Sequence, residues 1–495
     1  MHRISNVPLL RNKARLRRLI LFLLMVCGSF WLMVTGPTVV GLSNKKSDFP
    51  ASPIDSTTSS PKASNENKLS DSEIMQLLRL ELAEHDKGAL AASDFLGIVD
   101  RILVHKKLYD ARTTHNLPEL RLSIESLEDL AFPWLKAGHK FASVRQLAQS
   151  FKGRGIVMTT GQWHFKYARH AITVMRNLGS TLPIQLFYVG DGDLPKEYRD
   201  ELEAISGVVT IDLESYFDSH GPDLNRWAIK PFSMLASSFE EIIFVDADAL
   251  FFQPPEVIFN SAAYNDTGAV FYMDRTLYGG MESEGLTFFN KLVKEPSEYA
   301  KTKGRLVSKL STHEGESGVI VWNKRINLHA LLLTCVFNSE PHRSIMYKAY
   351  HGDKESYWIA HEALKMPYRW ASGGGGTVGF IVDPVNHPTK VCGGLYHPDE
   401  NWKPLWFNGG ILRNKHTPDG TETLSLTHWV TDRTFNEPKW DWETSTMPFC
   451  LSPNDANTEF GELTPEEKLI GEMLTSSWEL LERPNTDNIV AQIDP

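Results

Sequence analysis

The pattern of apolar and polar positions changes character several times along the chain. Leu19 to Leu42 is an apolar run without a charged residue, longer than the roughly 20 residues a helix needs to cross a bilayer. Ser43 to Ser72 is rich in Ser, Pro, Asn and Lys. It has almost nothing to bury and reads as a flexible stem. From residue 73 to 150, "EIMQLLRLELAEH" and "DFLGIVDRILVHKKLYDAR" repeat apolar positions at spacings of three and four, which predicts helices packed on a larger body.

After Gly153 strand and helix patterns alternate. Gly155 to Thr160, Pro183 to Asp191, Val208 to Leu213 and Glu241 to Phe252 read as strands. "HFKYARHAITVMRNLG", "LPKEYRDELEAI" and "KPFSMLASS" between them read as helices, the first closed by Gly179. This alternation predicts an α/β fold with a mostly parallel, Rossmann-like sheet and flanking helices. Ligands of such sheets bind at the carboxyl ends of the strands.

One such end is chemically unusual. In "EEIIFVDADALFFQPPEV", Asp246 and Asp248 interrupt a run of Ile, Phe, Val and Leu. Two close carboxylates are costly to bury unless something compensates them. A divalent cation, Mn²⁺ or Mg²⁺, would hold both ionised and could bridge to a diphosphate. The bland alternative is that one Asp caps the next turn and the other pairs with a lysine.

Charge and composition narrow the classes. The chain has 495 residues, 42% hydrophobic and 23% charged, with a formal charge of -10. A large core is affordable, and nucleic acid is not an expected partner. Arg3, Arg11, Lys13, Arg15, Arg17 and Arg18 precede the apolar run. That places residues 1–18 in the cytosol, 19–42 as a transmembrane signal anchor and the remainder across the membrane. A cleaved signal peptide ending near Val34-Thr35-Gly36 is the alternative. Residues 43–72 then form the stem, 73–150 the helical region, 151–440 the catalytic domain and 441–495 a C-terminal extension. Of four cysteines, Cys27 falls in the apolar run. Cys335, Cys392 and Cys450 allow one bridge and one odd thiol, with the pairing open. Asn265-Asp266-Thr267 is a glycosylation sequon.

Arg226 to Phe259, "RWAIKPFSMLASSFEEIIFVDADALFFQPPEVIF", resembles the signature of the fungal Golgi α-1,3-mannosyltransferases, glycosyltransferase family 71. Gly155 to Val208 and the blocks "GAVFYMDRTL", "HEGESGVIVWNK", "HGDKESYWIA" and "PLWFNGGI" continue the resemblance in order over roughly residues 150–430. The resemblance implies a GT-A-type fold and a type II, single-pass Golgi membrane protein with its catalytic domain in the lumen. It implies retaining transfer of mannose from GDP-mannose to a mannose 3-hydroxyl on a glycoprotein glycan. A homo- or hetero-complex with other mannosyltransferases is a possible assembly.

Roles follow on that reading. Asp246 and Asp248 bind the metal and, through it, the GDP phosphates. His397, with Lys403 and Pro404, is similar to the His-x5-Lys-Pro segment of glycogenin-like transferases. This casts His397 as a third metal ligand and Lys403 as a phosphate contact, although no glycine stands between them; a loop histidine capping a turn is the alternative. Lys230 sits where those enzymes carry a donor-binding lysine and would steady leaving-group charge. Thr159, Thr160 and Gly161 follow the first strand and could contact guanine or ribose. Asp191 closes the second strand and either bonds a ribose hydroxyl or forms a turn. Ser317 and Gly318 would face the donor. Asp353 and Glu316 are the candidates for the carboxylate nearest the anomeric carbon, by a front-face or a covalent route. Glu355, Trp406 and Asn408 are candidate sugar contacts. "SGGGGTVG", Ser372 to Gly379, is either a loop that closes over the site or a plain connection. Two other classes compete: a metal-dependent phosphatase of haloacid-dehalogenase type, whose opening "IIFVDADAL" resembles, and a non-catalytic lumenal sugar-binding protein.

Overall fold

The computed structural model describes residues 69–482, apart from 115–117, 138–139, 218–222, 278–279, 281, 417–420, 433–438, 443–447 and 454–457. The basic tail, the apolar run and all but the end of the stem lie outside the described residues. Among those described, no helix is long and apolar enough to cross a membrane.

The first described segment is helical, as its periodicity predicts: α1 (Asp71–Asp86), α2 (Phe95–Thr114), α3 (Pro118–Ala131), α4 (Pro133–Ala137) and α5 (Val144–Gln149). Ser70 and Glu73 form a reciprocal capping box at the start of α1. Phe95, Phe132, Trp134 and Leu147 join one apolar core with Phe232, Phe239 and Phe244 of the α/β unit. The helices are therefore part of the main body.

The α/β unit runs β1 (Arg154–Thr159), α6 (Phe165–Asn177), β2 (Ile184–Tyr188), α7 (Lys196–Glu203), β3 (Val208–Asp212), α8 (Ile229–Ala236) and β4 (Glu241–Val245). It continues through β5 (Leu250–Phe251), α9 (Ala262–Thr267), β6 (Ala269–Met273), α10 (Glu284–Leu292), α11 (Glu298–Lys303) and β7 (Gly315–Asn323). Helices α12 (Leu328–Phe337), α13 (His342–Ala349) and α14 (Ser356–Ala363) precede β8 (Arg369–Trp370). The sheet order is β3-β2-β1-β4-β7-β6-β8. The first four strands are parallel, as expected. β7 alone reverses, lying antiparallel to both β4 and β6. β6 and β8 run with the first four strands, so the sheet is mostly parallel, as expected, with one antiparallel strand. The reversal places the beginning of β7 beside the end of β4, with Val245 opposite Val319.

A second, antiparallel sheet holds the rest of the chain. It comprises β9 (Gly376–Ile381), β10 (Val391–Pro398), β11 (Pro404–Asn408), β12 (His428–Asp432), β13 (Lys439–Trp442), β14 (Phe449–Ser452) and β15 (Thr458–Glu462), followed by α15 (Pro465–Leu481). Its order is β13-β14-β10-β9-β12-β15. β11 pairs with β10 and with β5, the short strand that follows the acid pair. Part of the glycine-rich segment expected as a loop is thus strand β9. Its glycines serve close packing: a Cβ on Gly379 would stand 2.0 Å from the Cys392 carbonyl oxygen. Cys392 is bonded to Cys450, tying β10 to β14, while Cys335 is a buried free thiol. The expected C-terminal extension is integral to the unit. β14 and β15 belong to the second sheet, and α15 packs on α6, where His170 Nε2 meets the Leu474 carbonyl at 2.9 Å.

Candidate active site

The acid pair lies at the carboxyl end of β4, where the two sheets meet. The Asp246 amide donates to the Gly318 carbonyl at 2.8 Å, which anchors the end of β4 to β7. The Gly410 amide donates to the Asp248 carbonyl at 2.8 Å, which anchors it to the chain leaving β11. Each carboxylate meets its own lysine. Lys230, in the first turn of α8, places Nζ 2.7 Å from Asp246 Oδ2, 3.3 Å from Ser317 Oγ and 4.0 Å from Asp353 Oδ2. Lys415 forms an ion pair with Asp248 Oδ2. The Oδ1 oxygens of both aspartates have no protein partner among the described residues.

Their electrostatics differ. Burial pushes the Asp246 carboxyl up, Lys230 opposes that, and the Asp248 and Asp353 charges reinforce it, leaving it at about 7. Burial acts on Asp248 too, but Lys415, then Lys230 and His164, bring it below the ordinary range. Lys230 is itself buried, yet Asp246 and Asp353 more than offset the burial and raise it. Three acidic groups therefore face two ammonium groups, and Asp246, at about 7, is the one that an arriving cation would hold ionised.

A second charged layer stands behind the first. Asp353 Oδ2 accepts from Tyr357 Oη at 2.8 Å, and Oδ1 from Ser317 Oγ at 3.4 Å. Glu316 Oε1 accepts from the Gly318 amide at 2.8 Å and from Asn408 Nδ2 at 2.7 Å, while Lys354 Nζ is 3.4 Å from Oε2. Lys354 in turn pairs with Asp274 at 2.7 Å. "GESGVIVWNK" is strand from Gly315 to Asn323, with Glu316 and Ser317 buried. Gly318 must be glycine: a Cβ there would lie 2.8 Å from Asn408 Nδ2 and 2.9 Å from Glu316 Oε1.

Asp246, Asp248, Lys230, Asp353, Glu316, Ser317, Gly318 and Asn408 thus converge. Trp406 abuts Gly318; among the described residues the remaining candidates make no hydrogen bond or ion pair with the aspartates. His397 lies within β10, buried between Tyr272 at 5.1 Å and Trp406 stacked at 4.4 Å. Its charged surroundings are Asp274, Arg305 and Arg275, and burial lowers it to about 3. It is the second-last residue of the strand, and among the described residues no hydrogen bond or ion pair joins it to the aspartates. Lys403 is exposed at the far end of the β10–β11 hairpin, five residues before Asn408, or about 16 Å of strand. Trp406 is fully buried and its face is taken by His397. Glu355 is spent internally, accepting from the Glu314 and Gly315 amides and Trp358 Nε1.

Thr159 and Thr160 are buried at the end of β1, and Gly161 abuts Asp193, whose carboxyl would be 2.2 Å from a Cβ. Asp193, rather than Asp191, braces this loop by accepting from the Val189 amide at 3.1 Å. Asp191 is 84% exposed and pairs with Arg199. Asn265 is exposed on α9.

Sequence reasoning missed Lys415 and Asp274. Neither carries a local signal, since each acquires its role from a partner distant in the chain. A divalent cation fits the pair through the two aspartates and their remaining oxygens. Among the described residues no group of three or more His, Cys, Asp or Glu is arranged to hold a metal, so the other ligands would come from substrate and water.

Residues 153–399 match the family model described as "Mannosyltransferase putative". The putative α-1,3-mannosyltransferase MNN14 of Candida albicans is 28% identical over 317 residues, 56% of this chain and 45% of that protein. The α-1,3-mannosyltransferase MNT3 of Saccharomyces cerevisiae is 24% identical over 305 residues, 52% of this chain and 47% of that one. The chain thus spans under half the length of these relatives. A crystal structure of the galactosyltransferase LgtC with donor and acceptor sugar analogs aligns with TM-score 0.29 and 12% identity, over 44% of this chain and 73% of that one. A likeness that weak carries no argument.

Proposed function

We propose, for a chain that belongs to the fungal α-1,3-mannosyltransferase family, that it is a retaining, GT-A-type α-1,3-mannosyltransferase. Its donor is GDP-mannose and its acceptor the 3-hydroxyl of a mannose on a glycoprotein glycan. The observation that carries this reading is the convergence of Asp246–Lys230 and Asp248–Lys415 with Asp353 and Glu316 at one strand end.

A Mn²⁺ or Mg²⁺ ion held by Asp246 and Asp248 would neutralise the departing diphosphate. Lys415 and Lys230 flank that position and supply further positive charge to the leaving group. Lys230 also bridges to Asp353, so the charge that steadies the leaving group lies within 4.0 Å of a carboxylate available to the sugar. Glu316, held by Gly318, Asn408 and Lys354, presents the second carboxylate on the adjacent strand. Either acid can shield positive charge developing on the anomeric carbon. The Golgi membrane, with the described domain lumenal, is the proposed location, supported by the basic tail and the apolar run of the sequence.

The test is transfer by the purified full chain from a panel of nucleotide sugars with Mn²⁺, using a mannoside acceptor and determining the product linkage. Transfer from GDP-mannose giving an α-1,3 product supports the proposal. Transfer from another donor only, another linkage, or phosphate release from a monoester instead would overturn it.

A further inference from the structure

We propose that Trp227 and His351 form the platform on which the acceptor mannose stacks. The inference rests on the mannosyl-transfer reading above and names an acceptor-specificity element for it.

Most large aromatic rings near the site are closed to a ligand. Trp322, Trp358 and Trp406 are fully buried, and among the described residues only Trp163 and Trp227 are tryptophans counted as exposed. Trp227 is 40% exposed. Its ring lies 5.2 Å from that of exposed His351 and 6.3 Å from that of Tyr347.

Two segments build this pair against each other. Trp227 sits in the single helical turn Arg226–Ala228 that leads into α8. Arg226 holds φ at +50°, a left-handed conformation rare for a residue with a side chain. From the other side, Gly352 has φ of +75°, and a Cβ there would meet Trp227 Cε3 at 2.8 Å. The bare glycine lets the indole seat directly on the backbone, and it leaves the ring's outer part in solvent. The left-handed backbone at Arg226 and the bare Gly352 together hold one indole that stays 40% exposed.

The position bears on the chemistry. Trp227 is three residues before Lys230 in continuous helical backbone, so the two share a face. His351 is two residues before Asp353. The pair therefore flanks the Lys230–Asp353 side of the cluster. The other exposed indole, Trp163, is 82% exposed. It precedes His164, whose charge bears on Asp248, and so lies toward the Asp248–Lys415 end that the diphosphate would occupy.

If the sugar's reacting carbon faces Asp353 and Glu316, the acceptor hydroxyl must come within about 3–3.5 Å of that carbon. The acceptor ring then lies on the Trp227 side. Hexopyranoses present an apolar C–H face that suits an indole, with polar hydroxyls at the rim for an imidazole.

The test measures mannoside binding directly, without turnover. Saturation-transfer NMR and titration with an α-linked mannobiose would be run on the purified full chain with GDP and Mn²⁺ present. The comparison is wild type against Trp227→Ala, Trp227→Phe and His351→Ala. Expected is a Kd for mannobiose weakened about 3- to 10-fold in Trp227→Ala and His351→Ala, the worth of one aromatic contact, with Trp227→Phe close to wild type. His351 is exposed, so its variant decides the matter if Trp227→Ala fails to fold.

Unchanged mannobiose affinity in His351→Ala and in folded Trp227→Ala, or no mannoside binding by wild type, overturns the proposal. If the expected pattern appears but the wild type transfers no sugar from any nucleotide donor, the platform stands and the reaction assignment falls. If transfer proceeds with an acceptor KM that neither alanine variant changes, the platform falls alone.

Discussion

Lys230 Nζ stands 2.7 Å from Asp246 Oδ2 and 4.0 Å from Asp353 Oδ2, so one buried ammonium serves carboxylates from two different elements. Asp246 directly follows the strand β4, and Asp353 precedes the helix α14. Replacing Lys230 with Met should lower kcat/KM for donor turnover by about 100-fold or more, the usual cost of losing a preorganised charge at a leaving group. Stability should fall much less, because Asp246 already sits near neutrality and can take up a proton instead of remaining an unpaired charge. Steady-state kinetics beside thermal melting separates the two effects. A large stability loss with proportionate activity loss would make Lys230 structural.

Gly318 lets Asn408 and Glu316 meet over the end of β7. Gly318→Ala places a methyl 2.8–3.0 Å from Asn408, Glu316 and Trp406. The neighbours must shift, at about 1–3 kcal/mol of stability. The Glu316–Asn408 bond should open and activity should drop. Melting and kinetics check this, and a variant with wild-type values of both would contradict the packing described.

His170 joins α6 to α15 through the Leu474 carbonyl, and burial holds its imidazole down at about 4, against 6.5 when free. Above pH 6.5 it is neutral in both states and neither adds nor removes stability. As pH falls from 6.5 toward 4 the unfolded chain takes up a proton that the fold refuses, so stability declines over that window. His361 and His397, each at about 3, act in the same sense. Glu355, raised by burial to about 7, acts oppositely, its penalty growing as pH rises from 4.5. Melting temperature against pH for His170→Gln should show a shallower acid decline than wild type. Identical slopes would refute the assignment.

The Cys392–Cys450 bridge spans 58 positions and ties β10 to β14. Its reduction, or Cys392→Ser, should cost about 2–4 kcal/mol. Melting with and without reductant reads the loss, and no reductant effect on wild type would argue that the bridge does not form.

The first four strands of the sheet were readable because each is a short apolar run punctuated by a helix with a clear period. The acids of β4 stood out as polar residues where the run required apolar ones, and Lys230 as a charge in an apolar helix. The reversed β7 left no such mark. A buried strand reads the same in either direction, and its antiparallel placement depends on neighbours that arrive later in the chain. The glycine-rich stretch of β9 read as a loop because glycine's freedom hides a strand whose backbones pack too closely for side chains. Lys415 and Asp274 escaped notice because pairing across 167 and 80 positions has no local pattern. His397 was singled out by its spacing from Lys403, and spacing says nothing of the two rings that enclose it.

The most direct measurement is Mn²⁺ binding to the purified full chain, followed by electron paramagnetic resonance or calorimetry with and without GDP. The account expects Mn²⁺ and GDP each to tighten the other's binding, with both effects lost in Asp246→Asn and Asp248→Asn. Mn²⁺ affinity that is unaffected by those substitutions, or GDP binding indifferent to the metal, would contradict it.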